Sequence, residues 1–120
     1  MNEASGYLTT HVLDTANGVP AAGVAIELFR LDGETRNHVT GTRTNADGRT
    51  DSPLLPKGKM VAGEYELVFR IGDYFAARGN AGAGDFLDIV PIRFRLSDPS
   101  AHYHVPLLAS PFSYATYRGS

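Results

Sequence analysis

Three side chains suited to proton transfer and anion binding stand far apart in this sequence: His11, Arg49 and His104. A histidine near neutral pH accepts a proton from water and returns it to a leaving group. The planar guanidinium of arginine suits an anionic or carbonyl-rich ligand. Tyr117, near the end of the chain, adds a flat ring and a hydroxyl. Brought together, these groups would bind a planar, polar heterocycle and activate a water molecule beside it.

Each of these residues also has an ordinary structural explanation. An outward-facing histidine on a strand is usually a solvated side chain, and we favour that interpretation for His11 taken alone, for His38 and for His102. Arg49 lies in a turn, where it is by itself most simply a surface charge. His102 and His104 share one strand face, but two ligands make an incomplete metal site. The spacing of these histidines therefore does not predict a metal site.

The elements that must position these residues are short strands. Turn residues recur at Asn17-Gly18, Asp32-Gly33, Asp47-Gly48, Lys57-Gly58, Asp98-Pro99 and Ser110-Pro111. The segments between them are rich in β-branched and aromatic residues, which is typical of a sandwich or barrel. We predict strands at 7–14, 23–31, 37–44, 51–55, 63–71, 88–97, 102–109 and 112–118. Asp73 is predicted to cap a short helix that Gly79 ends.

Alternation along the strands separates core from surface, because successive side chains point to opposite faces. The predicted core set of the two central strands is Tyr65, Leu67, Phe69, Ile71, Val90, Ile92, Phe94 and Leu96. Charged residues lie opposite them, at Glu64, Glu66, Arg70, Arg93 and Arg95. These two segments therefore read as half-buried strands with a solvated outer face.

The first strand and the last two strands differ, because their outward set contains no Asp, Glu, Lys or Arg. The predicted inward residues are Leu8, Val12, Tyr103, Val105, Leu107, Phe112 and Tyr114. The predicted outward residues are Thr9, His11, His102, His104, Pro106, Leu108, Ser113, Ala115 and Tyr117. A solvated sheet face usually carries more charge than this. We therefore expect this face, with its imidazoles, to be buried against another copy of the chain.

Composition narrows the classes of function. The chain has 120 residues, a formal net charge of -2 and no cysteine. The charge balance gives no electrostatic case for nucleic acid or an anionic membrane, and no apolar run approaches the ~20 residues of a membrane helix. The first residues lack the basic and apolar regions of a secretory signal. We expect a single domain over residues 1–120, located in the cytoplasm.

Two long motifs resemble a known family. The segment Leu8–Thr15, followed by Gly18-x-Pro20-Ala21, is similar to the N-terminal signature of the 5-hydroxyisourate hydrolases, the enzymatic relatives of transthyretin. The segment Tyr103–Leu108, with Ser110-Pro111 and Ser113–Ser120, resembles their C-terminal signature. The closing Tyr-Arg-Gly-Ser is the feature that separates these enzymes from the hormone carrier. The order of elements between the two motifs also fits, so the resemblance covers nearly the whole chain.

The resemblance implies an all-β, transthyretin-like (prealbumin-like) sandwich of two four-stranded sheets with one short helix. It also implies a homotetramer, a dimer of dimers with active sites in a central channel, and no metal or organic cofactor. The implied reaction opens the ring of 5-hydroxyisourate to give a ureidoimidazoline. The implied catalytic residues are His11, Arg49, His104 and Ser120, and the implied substrate-binding residues are His11, Arg49, Tyr117, Arg118 and Gly119.

The mechanism expected from these residues is attack of water on a ring carbonyl. An imidazole, His11 or His104, takes a proton from the water, and Arg49 stabilises the developing negative charge. Two alternatives remain open at the level of sequence: a small-molecule carrier of the transthyretin type, and a non-catalytic prealbumin-like module. The module would not need the histidines or the closing tetrapeptide, and a carrier would need an open channel, on whose wall a bulky Tyr117 is hard to explain.

Overall fold

The computed structural model describes residues 5–119. Its elements in chain order are β1 (Tyr7–Asp14), β2 (Val19–Pro20), β3 (Ala25–Asp32), β4 (Thr35–Arg43), β5 (Gly63–Arg70), α1 (Ile71–Ala77), β6 (Ile89–Leu96), β7 (His102–Ala109) and β8 (Tyr114–Thr116). Two four-stranded sheets result, with the orders β2-β1-β7-β8 and β4-β3-β5-β6. The prediction of two four-stranded sheets with one short helix is confirmed. Among the described helices, none has the length and apolar character needed to cross a membrane.

The predicted strand at 51–55 is wrong. Leu54 and Leu55 are buried in the core, but the segment makes only an isolated bridge from Leu55 to Leu8. Pro53 and Pro56 bracket the two leucines and cannot donate to a ladder, so the segment crosses the core without joining a sheet. The two-residue strand β2 was missed, and the last strand is shorter than the predicted 112–118.

The helix follows β5 without a loop, and the predicted cap at Asp73 is wrong. The N-cap is Arg70, which makes no capping hydrogen bond through its side chain, and Asp73 lies in the first turn. The start of the helix is set by packing, because Ile71 and Phe75 are buried in the core one helical turn apart. Gly79 follows the C-cap with a φ of 73° and ends the helix as predicted.

Alternation predicts the core well in the long strands. The inward sets of β5 and β6 pack in one cluster with Leu8, Val12, Tyr103, Val105 and Leu107. The inward positions predicted for Phe112 and Tyr114 are wrong, because these side chains are 57% and 46% exposed. β8 is a three-residue edge strand, and the space between it and β6 stays open as a cavity of about 260 Å³. An edge strand that the opposite sheet does not cover cannot bury aromatic rings.

The outer faces of the two sheets differ in charge. In the β4-β3-β5-β6 sheet, Glu66 binds Arg36 at 2.7 Å and Arg93 at 2.9 Å, and Glu64 binds Arg95 at 3.1 Å. The outward residues of β1 and β7 are Tyr7, Thr9, His11, Leu13, His102, His104, Pro106 and Leu108. None of these eight is an Asp, Glu, Lys or Arg, so the predicted orientation and its charge-poor character are confirmed for these two strands.

A buried carboxylate ties the end of β1 to α1. Asp14 accepts hydrogen bonds from the Asn17 backbone at 2.9 Å and from the Tyr74 hydroxyl at 2.7 Å. Burial raises the pKa of Asp14, but the bonds from Asn17 and Tyr74 outweigh it and hold that pKa below its ordinary value. The same contact, together with burial, raises the pKa of Tyr74 to about 12. Asp14 therefore stabilises the fold above the ordinary carboxyl range, and this contribution is lost as the pH falls through its lowered pKa.

Replacing Tyr74 by Phe removes this donor and leaves a buried carboxylate with one bond fewer. We expect the free energy of unfolding at pH 7 to fall by about 1.5–3 kcal/mol, the range for a hydrogen bond to a charged group. Urea denaturation at fixed protein concentration measures the change. Tyr114→Phe is the matched control, since this exposed hydroxyl has no hydrogen bond within residues 5–119. An equal loss in both variants would contradict the role of the Asp14 contact.

Candidate active site

His11 projects from the middle of β1 towards the loop that follows β4. An isolated bridge pairs His11 with Arg49, and the backbone N–H of Val12 donates to the Gly48 carbonyl at 2.8 Å. The side chain of Asn45 shapes the loop by accepting hydrogen bonds from the backbone of Asp47 and of Arg49. The loop is thereby fixed against β1, and Arg49 is carried to the edge of the histidine face.

The contact between His11 and the loop determines which nitrogen of this imidazole carries a proton. His11 Nε2 lies 2.8 Å from the Asp47 carbonyl oxygen. A carbonyl oxygen can only accept, so Nε2 holds a proton, and in the neutral ring Nδ1 is the free acceptor. His11 therefore presents one defined lone pair when it is neutral.

Gly48 permits the close approach of the loop. Its φ is 77°, and a Cβ added there would lie 2.3 Å from the Val12 carbonyl oxygen and 3.3 Å from His11 Cδ2. The first contact is with backbone and cannot be relieved by a side-chain rotation. The Asp47-Gly48-Arg49 turn needs glycine at its centre for both conformation and space.

His104 lies on the same outward face, on the neighbouring parallel strand β7. The ring centroids of His11 and His104 are 6.5 Å apart. His104 Nδ1 lies 2.8 Å from the hydroxyl of Thr9, and His102 Nε2 lies 2.7 Å from that same oxygen. Three imidazoles, those of His11, His102 and His104, therefore meet on one patch of β1 and β7.

The surroundings of His104 favour its neutral form. Partial burial lowers the pKa of His104, and the positive charge of Arg49 lowers it further, as do the neighbouring His102 and His11. A histidine with a lowered pKa is unprotonated at neutral pH and so is available to take a proton from water.

A cleft of about 340 Å³ opens beside this group. Its lining residues are Thr9, Thr10, Arg49, Thr50, His102 and His104. Within residues 5–119, the guanidinium of Arg49 makes no ion pair with a carboxylate. An unneutralised cation beside a neutral imidazole, both at the wall of a small cleft, suits a ligand that develops negative charge.

The last described residues contact two different parts of the structure. Arg118 stacks on the Tyr103 ring at 4.3 Å, and with Tyr117 it lines the cavity between β6 and β8. Gly119 lies against His104, since its N–H donates to the His104 carbonyl at 2.7 Å and an added Cβ would be 2.8 Å from His104 Cδ2. Ser120 lies outside the described residues. Within one chain, the structure joins His11, Arg49, His104 and Gly119, but Tyr117 and Arg118 do not line the same cleft.

Sequence reasoning missed Thr9 and Asn45 as parts of the site. Thr9 was placed on the outward face, but nothing in its spacing indicates that its hydroxyl joins two imidazoles. The Asn45 side chain shapes the turn in the manner of an Asx-turn. The segment Asn45–Gly48 carries the sequence signal for such a turn. Residues 5–119 contain no group of three or more His, Asp or Glu side chains placed to hold a metal ion.

The chain is similar to several known proteins. The family model described as HIUase/Transthyretin matches residues 8–119. The 5-hydroxyisourate hydrolase of Deinococcus radiodurans is 56% identical over 94% of this chain and 95% of its own length. The crystal structure of (S)-allantoin synthase has a TM-score of 0.92 and 48% identity over 98% of this chain, which spans 45% of that longer protein. Transthyretin from Sparus aurata has a TM-score of 0.83 and 26% identity over 93% of this chain and 95% of its own.

Gly48→Ala tests the fit of the loop against β1. We expect it to lower the free energy of unfolding by about 1–2 kcal/mol for the left-handed conformation alone, and by more because the new Cβ meets the Val12 carbonyl. Gly33→Ala is the control, since Gly33 also has a positive φ, of 61°, but an added Cβ there meets nothing within 4 Å. Urea denaturation compares the two variants. If Gly48→Ala cost no more than Gly33→Ala, the close approach would not constrain the loop.

Proposed function

This chain belongs to the HIUase/Transthyretin family, and we propose that it is a hydrolase that converts 5-hydroxyisourate to 2-oxo-4-hydroxy-4-carboxy-5-ureidoimidazoline in urate degradation. The observation that carries the proposal is the meeting of His11 and His104 on one charge-poor sheet face, with Arg49 at its edge, beside a cleft. Sequence identity supports a hydrolase over a carrier, because the chain is 56% identical to a 5-hydroxyisourate hydrolase and 26% identical to a transthyretin.

We assign the base to His104, because its surroundings keep it neutral and it lines the cleft with Arg49. Water attacks a ring carbonyl carbon as His104 takes one of its protons, and a C–O bond forms. Arg49 stabilises the negative charge on the carbonyl oxygen. The C–N bond of the ring then breaks, and protonated His104 returns the proton to the departing nitrogen, so the base is regenerated. His11, with its proton on Nε2 held by Asp47, positions the water or the substrate through Nδ1.

The roles of the last four residues are also proposals. Gly119 supports the His104 ring by close packing. Tyr117 is 61% exposed, and Tyr117 and Arg118 lie beside an open cavity, so we propose that they bind substrate after chain association brings them to a neighbouring cleft. Ser120 stays in the proposed catalytic set on the resemblance alone. No cofactor enters this scheme.

We propose a homotetramer, a dimer of dimers, in which the outward face of β1 and β7 is buried. The support is the contrast between the two sheets, since one outer face carries paired charges and the other carries imidazoles, Pro106 and Leu108. A contiguous face without Asp, Glu, Lys or Arg is typical of an interface. We also propose one domain over residues 1–120, supported by the single core cluster that joins both sheets, and a cytoplasmic location, which a cysteine-free chain suits.

His104→Asn tests the catalytic assignment. Freshly generated 5-hydroxyisourate is supplied, and the loss of its ultraviolet absorbance is followed against its spontaneous decay. We expect the unmodified protein to accelerate the loss and His104→Asn to lower kcat by roughly 10²–10⁴-fold, the usual contribution of a general base. His38→Asn is the matched control, because His38 pairs with Glu27 on the other sheet. No acceleration by the unmodified protein would reject the hydrolase function. Near-normal turnover by His104→Asn would reject the assignment of His104 as the base.

Leu108→Lys tests the proposed assembly. We expect the unmodified chain to sediment as a tetramer at micromolar concentration, and Leu108→Lys to shift it towards dimers or monomers, because a charge at a buried interface loses its solvation. Val39→Lys places the same charge on the other sheet and should leave the tetramer intact. A chain that remained a monomer at every concentration would overturn the buried face.

A further inference from the structure

One hydroxyl joins two imidazoles beside the proposed base. In the parallel register of β1 and β7, Thr9 is directly opposite His104, and His102 lies two residues earlier on the same face of β7. Thr9 Oγ1 is 2.7 Å from His102 Nε2 and 2.8 Å from His104 Nδ1. Both distances are those of good hydrogen bonds, so the three side chains form a continuous chain.

Counting protons along this chain leaves two arrangements for neutral rings. The Thr9 hydroxyl has one proton, and its two hydrogen-bond partners within residues 5–119 are these imidazoles. Its oxygen can accept from both rings, but its own proton would then have no acceptor among the described residues, so it donates to one imidazole and accepts from the other. In the first arrangement, His104 Nδ1–H donates to Thr9, Thr9 donates to His102 Nε2, and His104 Nε2 carries a lone pair. In the second, His102 Nε2–H donates to Thr9, Thr9 donates to His104 Nδ1, and His104 keeps its proton on Nε2. Only the first leaves His104 Nε2 free to take a proton from water.

The His102 ring, at one end of this series of hydrogen bonds, is held in place by its neighbours. The ring of His102 stacks on Tyr7 with centroids 4.0 Å apart and planes 10° apart. Lys57 Nζ lies 5.5 Å from the Tyr7 centroid, and Arg118 donates to the His102 carbonyl oxygen at 3.4 Å. Turning the His102 ring out of its plane would break the stack, and a half-turn within the plane would put a carbon in place of Nε2 and lose the hydrogen bond to Thr9.

The charges that face the three residues are cationic. Arg49 and His11 act on His104, while Arg118 and, across the Tyr7 ring, Lys57 lie on the side of His102. Within residues 5–119, neither His102 nor His104 pairs with a carboxylate. The usual partner that fixes a catalytic imidazole, an Asp or Glu on its second nitrogen, is therefore replaced by a threonine.

We infer that Thr9 and His102 are positioning residues that together fix the tautomer of the proposed base, His104. The inference rests on the proposed hydrolase function. Neutral His102 accepts the Thr9 proton at Nε2, Thr9 accepts from His104 Nδ1–H, and the lone pair of His104 is directed to Nε2. During turnover, His104 takes one proton from water at Nε2 and returns it to the departing nitrogen, while Thr9 and His102 keep their protons.

The arrangement makes His102 a proton switch for a residue it does not touch. When His102 is protonated, its Nε2–H donates to Thr9. His104 Nδ1 is then the one acceptor within residues 5–119 for the Thr9 proton, so Thr9 donates to it. Neutral His104 then carries its proton on Nε2 and cannot act as a base there. Activity should therefore fall as His102 gains a proton, in addition to any loss from protonation of His104 itself.

Thr9→Val removes the hydroxyl and keeps the shape of the side chain. We expect kcat for 5-hydroxyisourate to fall by roughly 10- to 100-fold, the effect of losing one well-made polar contact at the base, with KM changed less than about threefold. Thr9→Ser restores the hydroxyl and should recover kcat to within about threefold. Thr40→Val is the control, since Thr40 is a half-buried strand residue of the other sheet. A Thr9→Val protein with the unmodified kcat would overturn the inference.

The tautomer itself is visible by NMR of protein labelled with ¹⁵N-histidine, without substrate. We expect His104 in the unmodified protein to carry its proton on Nδ1 at pH 8, and to move it to Nε2 in Thr9→Val. His102→Phe keeps the stack on Tyr7 but removes the acceptor for the Thr9 proton, so it should also move the His104 proton to Nε2. It should also abolish the additional decrease of kcat at low pH that protonation of His102 causes in the unmodified protein. A proton on Nε2 in the unmodified protein, or an unchanged pH profile in His102→Phe, would refute the switch.

These two readouts separate this inference from the proposed function. If the unmodified protein fails to accelerate the loss of 5-hydroxyisourate, the hydrolase proposal is rejected, and with it the catalytic role of the hydrogen-bond chain. The NMR result then still decides whether Thr9 and His102 fix the tautomer of His104. If the protein is active and His104 holds its proton on Nε2, the hydrolase stands and the positioning role fails.

Discussion

The parallel pairing of β1 with β7 is the constraint on which the rest of the structure depends. Eight consecutive pairs join Tyr7–Asp14 to His102–Ala109, across about ninety residues of intervening chain. The register places Thr9 beside His104 and His11 beside Pro106, so the imidazoles share one face. A slip of one residue would turn either strand over, moving its histidines into the core and Leu8 or Tyr103 into solvent. Burial of the inner face therefore fixes the geometry of the outer face.

The two sheets use their outer faces differently. The β4-β3-β5-β6 sheet covers its outer face with compensated charges, and burial raises the pKa of Glu66 less than its bonds to Arg93 and Arg36 lower it. That face is stable in water without a partner. The face of β1 and β7 has no such ion pairs among the described residues, and its polar groups satisfy one another through Thr9 and through the Asp47 carbonyl. The outer face of β1 and β7 is thus ordered by hydrogen bonds among its own side chains and to the neighbouring loop, and not by ion pairs.

Much of this could be predicted from sequence because strand alternation is a local property. Because side chains alternate between the two faces of a strand, the sequence predicts the inward residues of β1, β5, β6 and β7 and the outward positions of His11 and His104. The failures came where packing overrides local signals. Leu54 and Leu55 enter the core without forming a strand, Ile71 sets the helix start in place of Asp73, and the edge strand β8 leaves Phe112 exposed. The contact of Thr9 with two imidazoles depends on register between distant strands, which no local pattern contains.

Burial and chemistry reinforce each other at His104. Within one chain, partial burial and Arg49 already lower the pKa of His104, which favours the neutral imidazole. Covering the face of β1 and β7 with another chain would remove more water, which would disfavour the charged imidazole further and strengthen the field of Arg49 at the cleft. The same desolvation would raise the cost of any unpaired polar atom on this face, so the hydrogen bonds of Thr9 and of His11 become more important on association. An assembly that buries this face would therefore stabilise the neutral His104 that the proposed mechanism requires.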